Sequence, residues 1–199
     1  MRQRTFRWLT AVLAVAGLAA DQASKYEVFR RLYPGAGELR GENDLVPGWF
    51  KLTAEFDPGT PPCDCAFRPL QTVSAPVMPR VNHGALFGLG GGHKTGANQF
   101  FAGVSVLAAA GILVWVSRPS AATDGWLSAA LGLILGGTVG NLYDRVVFNG
   151  VRDFLYFYRI DWPVFNVADC CLVVGAGMLL LHAVFTPSGP KPAAAPAAG

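Results

Sequence analysis

The sequence contains few charged residues. Asp, Glu, Lys and Arg make up 15% of its 199 residues, against about 25% in an ordinary soluble domain. Hydrophobic residues make up 52%, and the mean hydropathy is +0.35. The net charge of +3 is small, and no basic run with interleaved aromatic residues is present. The composition therefore indicates an integral membrane protein of one domain or two small ones and argues against a nucleic-acid partner.

Metal-binding patterns are also missing from the sequence. The four cysteines form two close pairs, Cys63/Cys65 and Cys170/Cys171, and neither pair is a CxxC motif. No histidine pair has metal-ligand spacing, so we expect no zinc or other metal and no cofactor. Cys170 and Cys171 lie in an apolar run and are expected to be small buried residues. Cys63 and Cys65 lie in a Pro-rich segment, where a disulfide and a binding role both remain open.

The sequence does contain four long hydrophobic runs. The first, residues 6–20, follows three arginines and ends in small residues, a pattern also typical of a cleavable signal peptide. It can extend to about residue 28 if Asp21 and Lys25 lie at its far end, and we favour this uncleaved helix of about 20 residues. The remaining runs cover residues 100–116, 126–143 and 165–185.

Arginines at the start of the chain favour a cytoplasmic N-terminus, because positive residues are enriched on the inner side of membranes. Four spans then return the C-terminus to the same side. Residues 1–185 would form one four-helix transmembrane domain. The low-complexity tail, residues 186–199, would be a disordered cytoplasmic segment.

The segment between the first two spans, residues 29–98, is too long for a simple connection. Its sequence LVPGWFKLTAEF alternates apolar and polar residues and predicts one or two strands. Residues from about 55 to 80 are rich in proline and predict an irregular insertion. A second outer loop, residues 148–163, is short and aromatic and suits the headgroup level. The predicted fold is an all-α membrane protein of four transmembrane helices with a small β-containing subdomain between helices 1 and 2.

Ionisable groups occur within apolar sequence between residues 136 and 169. They include Asp144, Arg145, Asp153 and Asp169. A charged side chain at the bilayer centre costs about 2.5 to 3.5 kcal/mol on insertion scales, so such groups have a partner or a function. Two carboxylates near a membrane surface suggest acid–base chemistry on a membrane-bound substrate.

Several short motifs accompany these residues in a fixed order. They are DQASK (21–25), VPGWFKLT (46–53), NHGALF (82–87), GGTVGNLYDR (136–145), VRDF (151–154) and FNVAD (165–169). Together they resemble the lipoprotein signal peptidase (signal peptidase II) family, whose pattern includes V-x-D-F and F-N-x-A-D. The resemblance covers residues 21 to about 181.

This resemblance implies an aspartic endopeptidase of the bacterial inner membrane. It would remove signal peptides from prolipoproteins, cutting before a diacylglyceryl-modified cysteine, with the active site and outer subdomain on the periplasmic side. Its partners would be such prolipoproteins, the lipid bilayer and globomycin-type inhibitors, and a monomer is expected.

The resemblance assigns the catalytic roles to Asp153 and Asp169. Hydrolysis without a nucleophilic Ser or Cys needs one carboxylate to take a proton from water and a protonated one to polarise the scissile carbonyl. Two close carboxyls readily share one proton. Asp144 is expected to form an ion pair with the adjacent Arg145, which would remove it from proton transfer.

Other matched residues are expected to bind substrate or support the site. Asn141 and Arg145 lie one helical turn apart and would hold the substrate backbone and the developing oxyanion. Asn166 would orient Asp169, contact substrate or cap the last helix. Asn82 would approach from the outer loop with similar roles or make a turn with Gly84. The remaining residues are Asp21 and Lys25, expected to form an i, i+4 ion pair, and Gly137, expected to allow close packing.

Some features do not follow the family pattern. About 25 residues intervene between the FKLT strand and Asn82, and His83 stands where small residues are usual. His83, His93 and His182 match no motif position and are expected to have no catalytic role. Two other functions remain open: a channel or transporter with an intramembrane ion path, and a non-enzymatic assembly scaffold.

Overall fold

The computed structural model describes residues 5–35, 37–84 and 94–185. Residues 1–4, most of the glycine-rich segment after His83 and the predicted tail lie outside these described residues. The described part is mostly helical and contains a small antiparallel sheet. Its helices are α1 (Arg7–Arg31), α2 (Arg68–Thr72), α3 (Lys94–Ser117), α4 (Pro119–Ala122), α5 (Gly125–Phe148) and α6 (Val167–Phe185).

Three of the long helices are apolar enough to cross a membrane. The candidate spans are Thr95–Ser117, Gly125–Phe148 and Val167–Phe185. Helix α1 has 25 residues and would extend about 38 Å, but it is not among these candidate spans. Of the four predicted spans, three are therefore found on length and hydropathy, and the count of four is not confirmed.

Helix α5 is the central helix and packs against α1, α3 and α6. Asp124 precedes it, and the Asp124 side chain accepts a hydrogen bond from the backbone N–H of Leu127, which caps the helix. Small residues on α5 allow close approach. A Cβ atom added to Gly137 would lie 2.9 Å from Leu172 Cγ and closer still to the carbonyl oxygen of Ala168, so α5 and α6 approach each other closely at this glycine.

The sheet is built around a β-hairpin of β1 (Arg40–Val46) and β2 (Phe50–Asp57). Two short strands, β3 (Met78–Pro79) and β4 (Leu155–Tyr156), pair antiparallel with different parts of β2. The strands predicted from LVPGWFKLTAEF are thus found. The second outer loop was expected only to lie at the headgroup level, but it supplies β4.

A small apolar core joins the sheet to the end of α1. Phe29 of α1 packs edge-on against Phe56 of β2, with ring centroids 5.7 Å apart. Phe154, which precedes β4, is buried in the same cluster. The core therefore holds the segment between α5 and α6 against both the sheet and the helices.

The Pro-rich insertion is attached to α5. The Gln71 amide donates to the carbonyl oxygen of Val147 at 2.6 Å and accepts from the N–H of Cys63 at 2.8 Å. Cys63 and Cys65 form a disulfide, whereas Cys170 and Cys171 are free and half-buried. Because it contains α2 and β3, the insertion has more regular structure than the sequence predicted.

Candidate active site

The segment after α5 holds Asp153 in place through its backbone. Asn149 has φ 57° and ψ 32°, a left-handed conformation that ends the helix. Val151 then exchanges two backbone hydrogen bonds with Asn82, each 2.8 Å. On the other side of Asp153, the N–H of Thr53 donates to the carbonyl oxygen of Phe154 at 2.9 Å. Residues on both sides of Asp153 are therefore anchored to distant parts of the chain.

Two amide side chains hold the Asp153 carboxyl group. Asn166 Nδ2 donates to Asp153 Oδ1 at 2.7 Å, and Asn82 Nδ2 donates to Oδ2 at 3.1 Å. The Asn82 side chain is itself oriented, because its Oδ1 accepts from the N–H of Gly84 at 2.9 Å. Asn82 therefore both makes the turn with Gly84 and contacts Asp153.

Asp169 lies in the first turn of α6 and forms a reciprocal cap with Asn166. The N–H of Asp169 donates to Asn166 Oδ1 at 3.0 Å, and the N–H of Asn166 donates to Asp169 Oδ2 at 3.2 Å. Asn141 Nδ2 donates to the other carboxylate oxygen, Asp169 Oδ1, at 2.9 Å. Asn166 thus caps the helix, as one interpretation expected, and also contacts both aspartates.

Asp153 and Asp169 consequently share one polar site although they lie 16 positions apart in the sequence. Burial of the Asp153 carboxyl group, followed by the negative charge of Asp169, raises the pKa of Asp153 to about 6. This electrostatic coupling is what two carboxyls require to share a proton.

An open cleft of about 300 Å³ leads to Asp153. It lies between the sheet and the segment that follows α5. Its wall combines polar and apolar residues, which are Thr53, Glu55, Arg80, Asn82 and Asp153 together with Val81, Val151, Pro163 and Val164. A peptide therefore has access to the Asp153 carboxyl group.

Beneath this site lies a cluster of four buried charged side chains. Asp21, Lys25 and Asp144 are completely buried, and Arg152 is 1% exposed. Lys25 Nζ is 2.8 Å from Asp21 Oδ2 and 3.3 Å from Asp144 Oδ2. The predicted i, i+4 pair is present, but it lies inside α1 rather than at its end. Asp21 Oδ1 also accepts from the N–H of Ala168 at 2.9 Å, which ties α1 to the start of α6.

The predicted ion pair between Asp144 and Arg145 is wrong. Asp144 pairs with Arg152, whose Nη2 is 2.8 Å from Asp144 Oδ1, and with Lys25. Consecutive residues on an α-helix point about 100° apart, so adjacency in sequence does not bring their side chains together. Arg145 instead lies within electrostatic range of Asp169 and Asp153 as well as Asp144.

Arg145 lies near Asp153 and Asp169, and one of its guanidinium donors forms no hydrogen bond in the described structure. Its Nη1 donates to the backbone oxygen of Asn141 at 3.2 Å, and the group lies over the Phe101 ring at 5.6 Å. Within the described residues, its buried Nε has no hydrogen-bond partner. Both polar atoms of the Asn141 side chain are hydrogen-bonded, because its Oδ1 accepts from Lys25 and Asn166 at 3.2 Å each and its Nδ2 donates to Asp169.

The sequence interpretation did not single out Gln22 or Arg152. Gln22 Nε2 donates to Asp21 Oδ2 at 2.9 Å and to Asp144 Oδ1 at 3.2 Å, and its Oε1 accepts from Arg152 Nη2 at 2.9 Å. Both residues lie inside motifs quoted above, DQASK and VRDF. Their place in those motifs is the sequence signal that could have identified them as part of the site. Over the residues that the structure covers, no group of three or more His, Cys, Asp or Glu side chains is placed to hold a metal.

Comparison with known proteins identifies the family. Residues 74–185 match the family model described as signal peptidase (SPase) II. A lipoprotein signal peptidase of Symbiobacterium thermophilum is 36% identical over 178 residues, which cover 88% of this chain and 94% of the relative. One of Rhodopirellula baltica is 37% identical over 185 residues, covering 85% and 69%.

A solved structure agrees with this fold. A bacterial membrane enzyme determined by the in meso method superimposes with a TM-score of 0.67 over 96% of this chain and 98% of its own, at 20% identity. That similarity supports the fold alone. The family match and the identity to curated relatives over most of the sequence carry the assignment: the chain belongs to the signal peptidase II family of peptidases.

Proposed function

We propose that this protein is an aspartic endopeptidase that removes the signal peptide from diacylglyceryl-modified prolipoproteins by cutting before the lipidated cysteine. The relatives are named lipoprotein signal peptidases, which supports this substrate class. The observation that carries the catalytic assignment is that Asn166 hydrogen-bonds to both Asp153 and Asp169 beside an open cleft.

In the proposed mechanism, the two aspartates share one proton. We place that proton on Asp153, because burial and the charge of Asp169 raise the pKa of Asp153 to about 6. Protonated Asp153 donates a hydrogen bond to the scissile carbonyl, and Asp169 takes a proton from the attacking water. Transfer of the Asp153 proton to the carbonyl oxygen completes a tetrahedral gem-diol intermediate. The intermediate collapses when Asp169 passes its proton to the leaving amine and a hydroxyl proton returns to Asp153.

Neighbouring groups would support this chemistry. Arg145 has a buried Nε without a partner in the described structure, and we assign this donor to the substrate carbonyl or the developing oxyanion. Asn82 and Asn166 fix the two oxygens of Asp153, so its carboxyl group keeps one orientation during the reaction. All these groups come from one chain, so a monomer suffices.

We further propose that α1 is the fourth span and that the active site lies at the periplasmic face of the inner membrane. The buried charges of α1 are Asp21 and Lys25, which are paired with each other and with Asp144. This pairing lowers the cost of inserting the helix. Because the site lies near the end of α5 and the start of α6, its polar groups cluster at one end of the helices. A conduction path would instead place them at several depths.

The test is cleavage of a purified, diacylglyceryl-modified prolipoprotein by the purified protein in detergent. Asp153→Asn and Asp169→Asn should each lower kcat by at least about 10³-fold, because neither variant has a complete acid–base pair. Asp44→Asn, an exposed carboxylate on β1, is the matched control and should retain full activity. Full activity of either dyad variant would refute the mechanism, and globomycin should inhibit the wild-type reaction.

A further inference from the structure

Arg152 is the largest fully buried side chain described in the protein. It stands at the position that the V-x-D-F motif leaves open, immediately before Asp153. An arginine cannot lose its charge in a protein, so its burial requires compensation.

Asp144 binds Arg152 through both its side chain and its backbone. Asp144 Oδ2 accepts from the backbone N–H of Arg152 at 2.9 Å and from Nε at 3.2 Å, while Oδ1 accepts from Nη2 at 2.8 Å. Gln22 Oε1 accepts a further bond from Nη2 at 2.9 Å. The peptide unit between Val151 and Arg152 is thus attached to α5, and the guanidinium is attached to both α5 and α1.

Aromatic rings enclose the same guanidinium. Its carbon lies 4.4 Å from the ring centre of Tyr26 and 3.9 Å from that of Phe148. A planar guanidinium suits both the forked contact with a carboxylate and stacking on rings, whereas a lysine ammonium offers neither. Together these contacts leave Arg152 little freedom to move.

We propose that Arg152 is a positioning residue that fixes the carboxyl group of Asp153 through its clamp to Asp144, Gln22 and the two aromatic rings. This inference rests on the proposed catalytic role of Asp153. Arg152 is nearly inaccessible, so it acts through its neighbour rather than on the substrate. Its charge also balances the cluster, in which Lys25 and Arg152 offset Asp21 and Asp144.

The central experiment compares Arg152→Lys with wild type in the prolipoprotein cleavage assay. The lysine keeps the charge but loses the fork and the stacking. We expect kcat to fall about 10- to 100-fold, because a displacement near 1 Å at a reacting group has an effect of that order. KM should stay within about twofold, since no substrate contact is removed. Arg159→Met, at an exposed arginine of the same connection, is the control and should retain the wild-type kcat.

A double variant separates positioning from charge balance. Asp144→Asn with Arg152→Met removes one charge of each sign, so the cluster of buried charges stays neutral. This double variant also provides the test if a single variant fails to fold. Positioning predicts that kcat per folded molecule remains at least 10-fold below wild type. Recovery of the wild-type kcat would show that Arg152 only neutralises Asp144 and would overturn the proposal.

The two proposals fail in different ways. An unchanged kcat in Arg152→Lys, with Asp153→Asn inactive, would refute positioning by Arg152 and leave the proposed peptidase mechanism intact. An active Asp153→Asn would refute the mechanism itself. A loss in Arg152→Lys that is matched by an equal loss of folded protein, with normal kcat per folded molecule, would assign Arg152 a structural role only.

Discussion

Replacing Gly137 with alanine should lower activity much more than stability. The added Cβ would lie 2.9 Å from Leu172 Cγ and even closer to the carbonyl oxygen of Ala168. Carbon atoms pack best at about 3.5 to 4.0 Å, so α5 and α6 must separate by roughly 0.5 to 1 Å. Ala168 directly precedes Asp169, so this separation displaces one of the two proposed catalytic carboxylates.

The stability change combines two opposing effects. Overpacking a close contact costs about 1 to 3 kcal/mol, and replacing glycine by alanine within a helix recovers about 1 kcal/mol. The net loss in the free energy of unfolding should therefore not exceed about 2 kcal/mol. Activity depends instead on the position of Asp169, and a shift of this size should lower kcat by up to about 100-fold.

Gly177→Ala is the matched control on α6. No atom lies within 4 Å of a Cβ added there, so this variant should match or exceed wild-type stability and keep full activity. The assays are cleavage of a lipidated prolipoprotein and thermal unfolding followed by tryptophan fluorescence, both in the same detergent. Wild-type kcat in Gly137→Ala would refute the argument that close packing at Gly137 positions Asp169.

Two further predictions concern the polar residues. Lys25→Met leaves Asp21 and Asp144 without their shared cation and should lower the free energy of unfolding by about 3 to 5 kcal/mol. Adding Asp21→Asn should restore part of this loss. An unchanged unfolding temperature of Lys25→Met would contradict the prediction. Burial is the main cause that raises the pKa of Asp153 to about 6, and the hydrogen bond from Asn82 keeps this pKa from rising further. Activity that needs protonated Asp153 falls as pH rises through this pKa. Asn82→Ala removes the hydrogen bond and should raise the pKa, so the alkaline fall in kcat/KM should move to higher pH. A shift to lower pH would contradict the proposed acid role of Asp153.

Local pairs in the site could be predicted because they depend only on helix geometry. Asp21 and Lys25, four positions apart, form the expected ion pair. Asn166 and Asp169, three positions apart, cap the start of α6 reciprocally. The family resemblance, which the curated relatives and the family model confirm, supplied the pairing of Asp169 with the distant Asp153.

The partner of Asp144 could not be predicted in this way. Sequence proximity suggested Arg145, but the chain reverses after α5 and returns Arg152 to the same helix. The reversal depends on the left-handed backbone of Asn149 and on the bridge between Asn82 and Val151. Neither the bridge nor strand β4 has a local sequence signal, because each pairs segments that lie far apart in the chain.

The sequence by itself determined the membrane character, the long apolar helices, the hairpin and the polar pairs within one helical turn, because composition and backbone periodicity act locally. Tertiary structure decided which polar groups meet across elements. It joined Asp144 to Arg152, Gln22 to both, and Asn166 to Asp153 as well as Asp169. The physical reason is that a buried polar group must find a partner wherever the folded chain brings one, and that position is set by packing between helices and sheet rather than by spacing along the sequence.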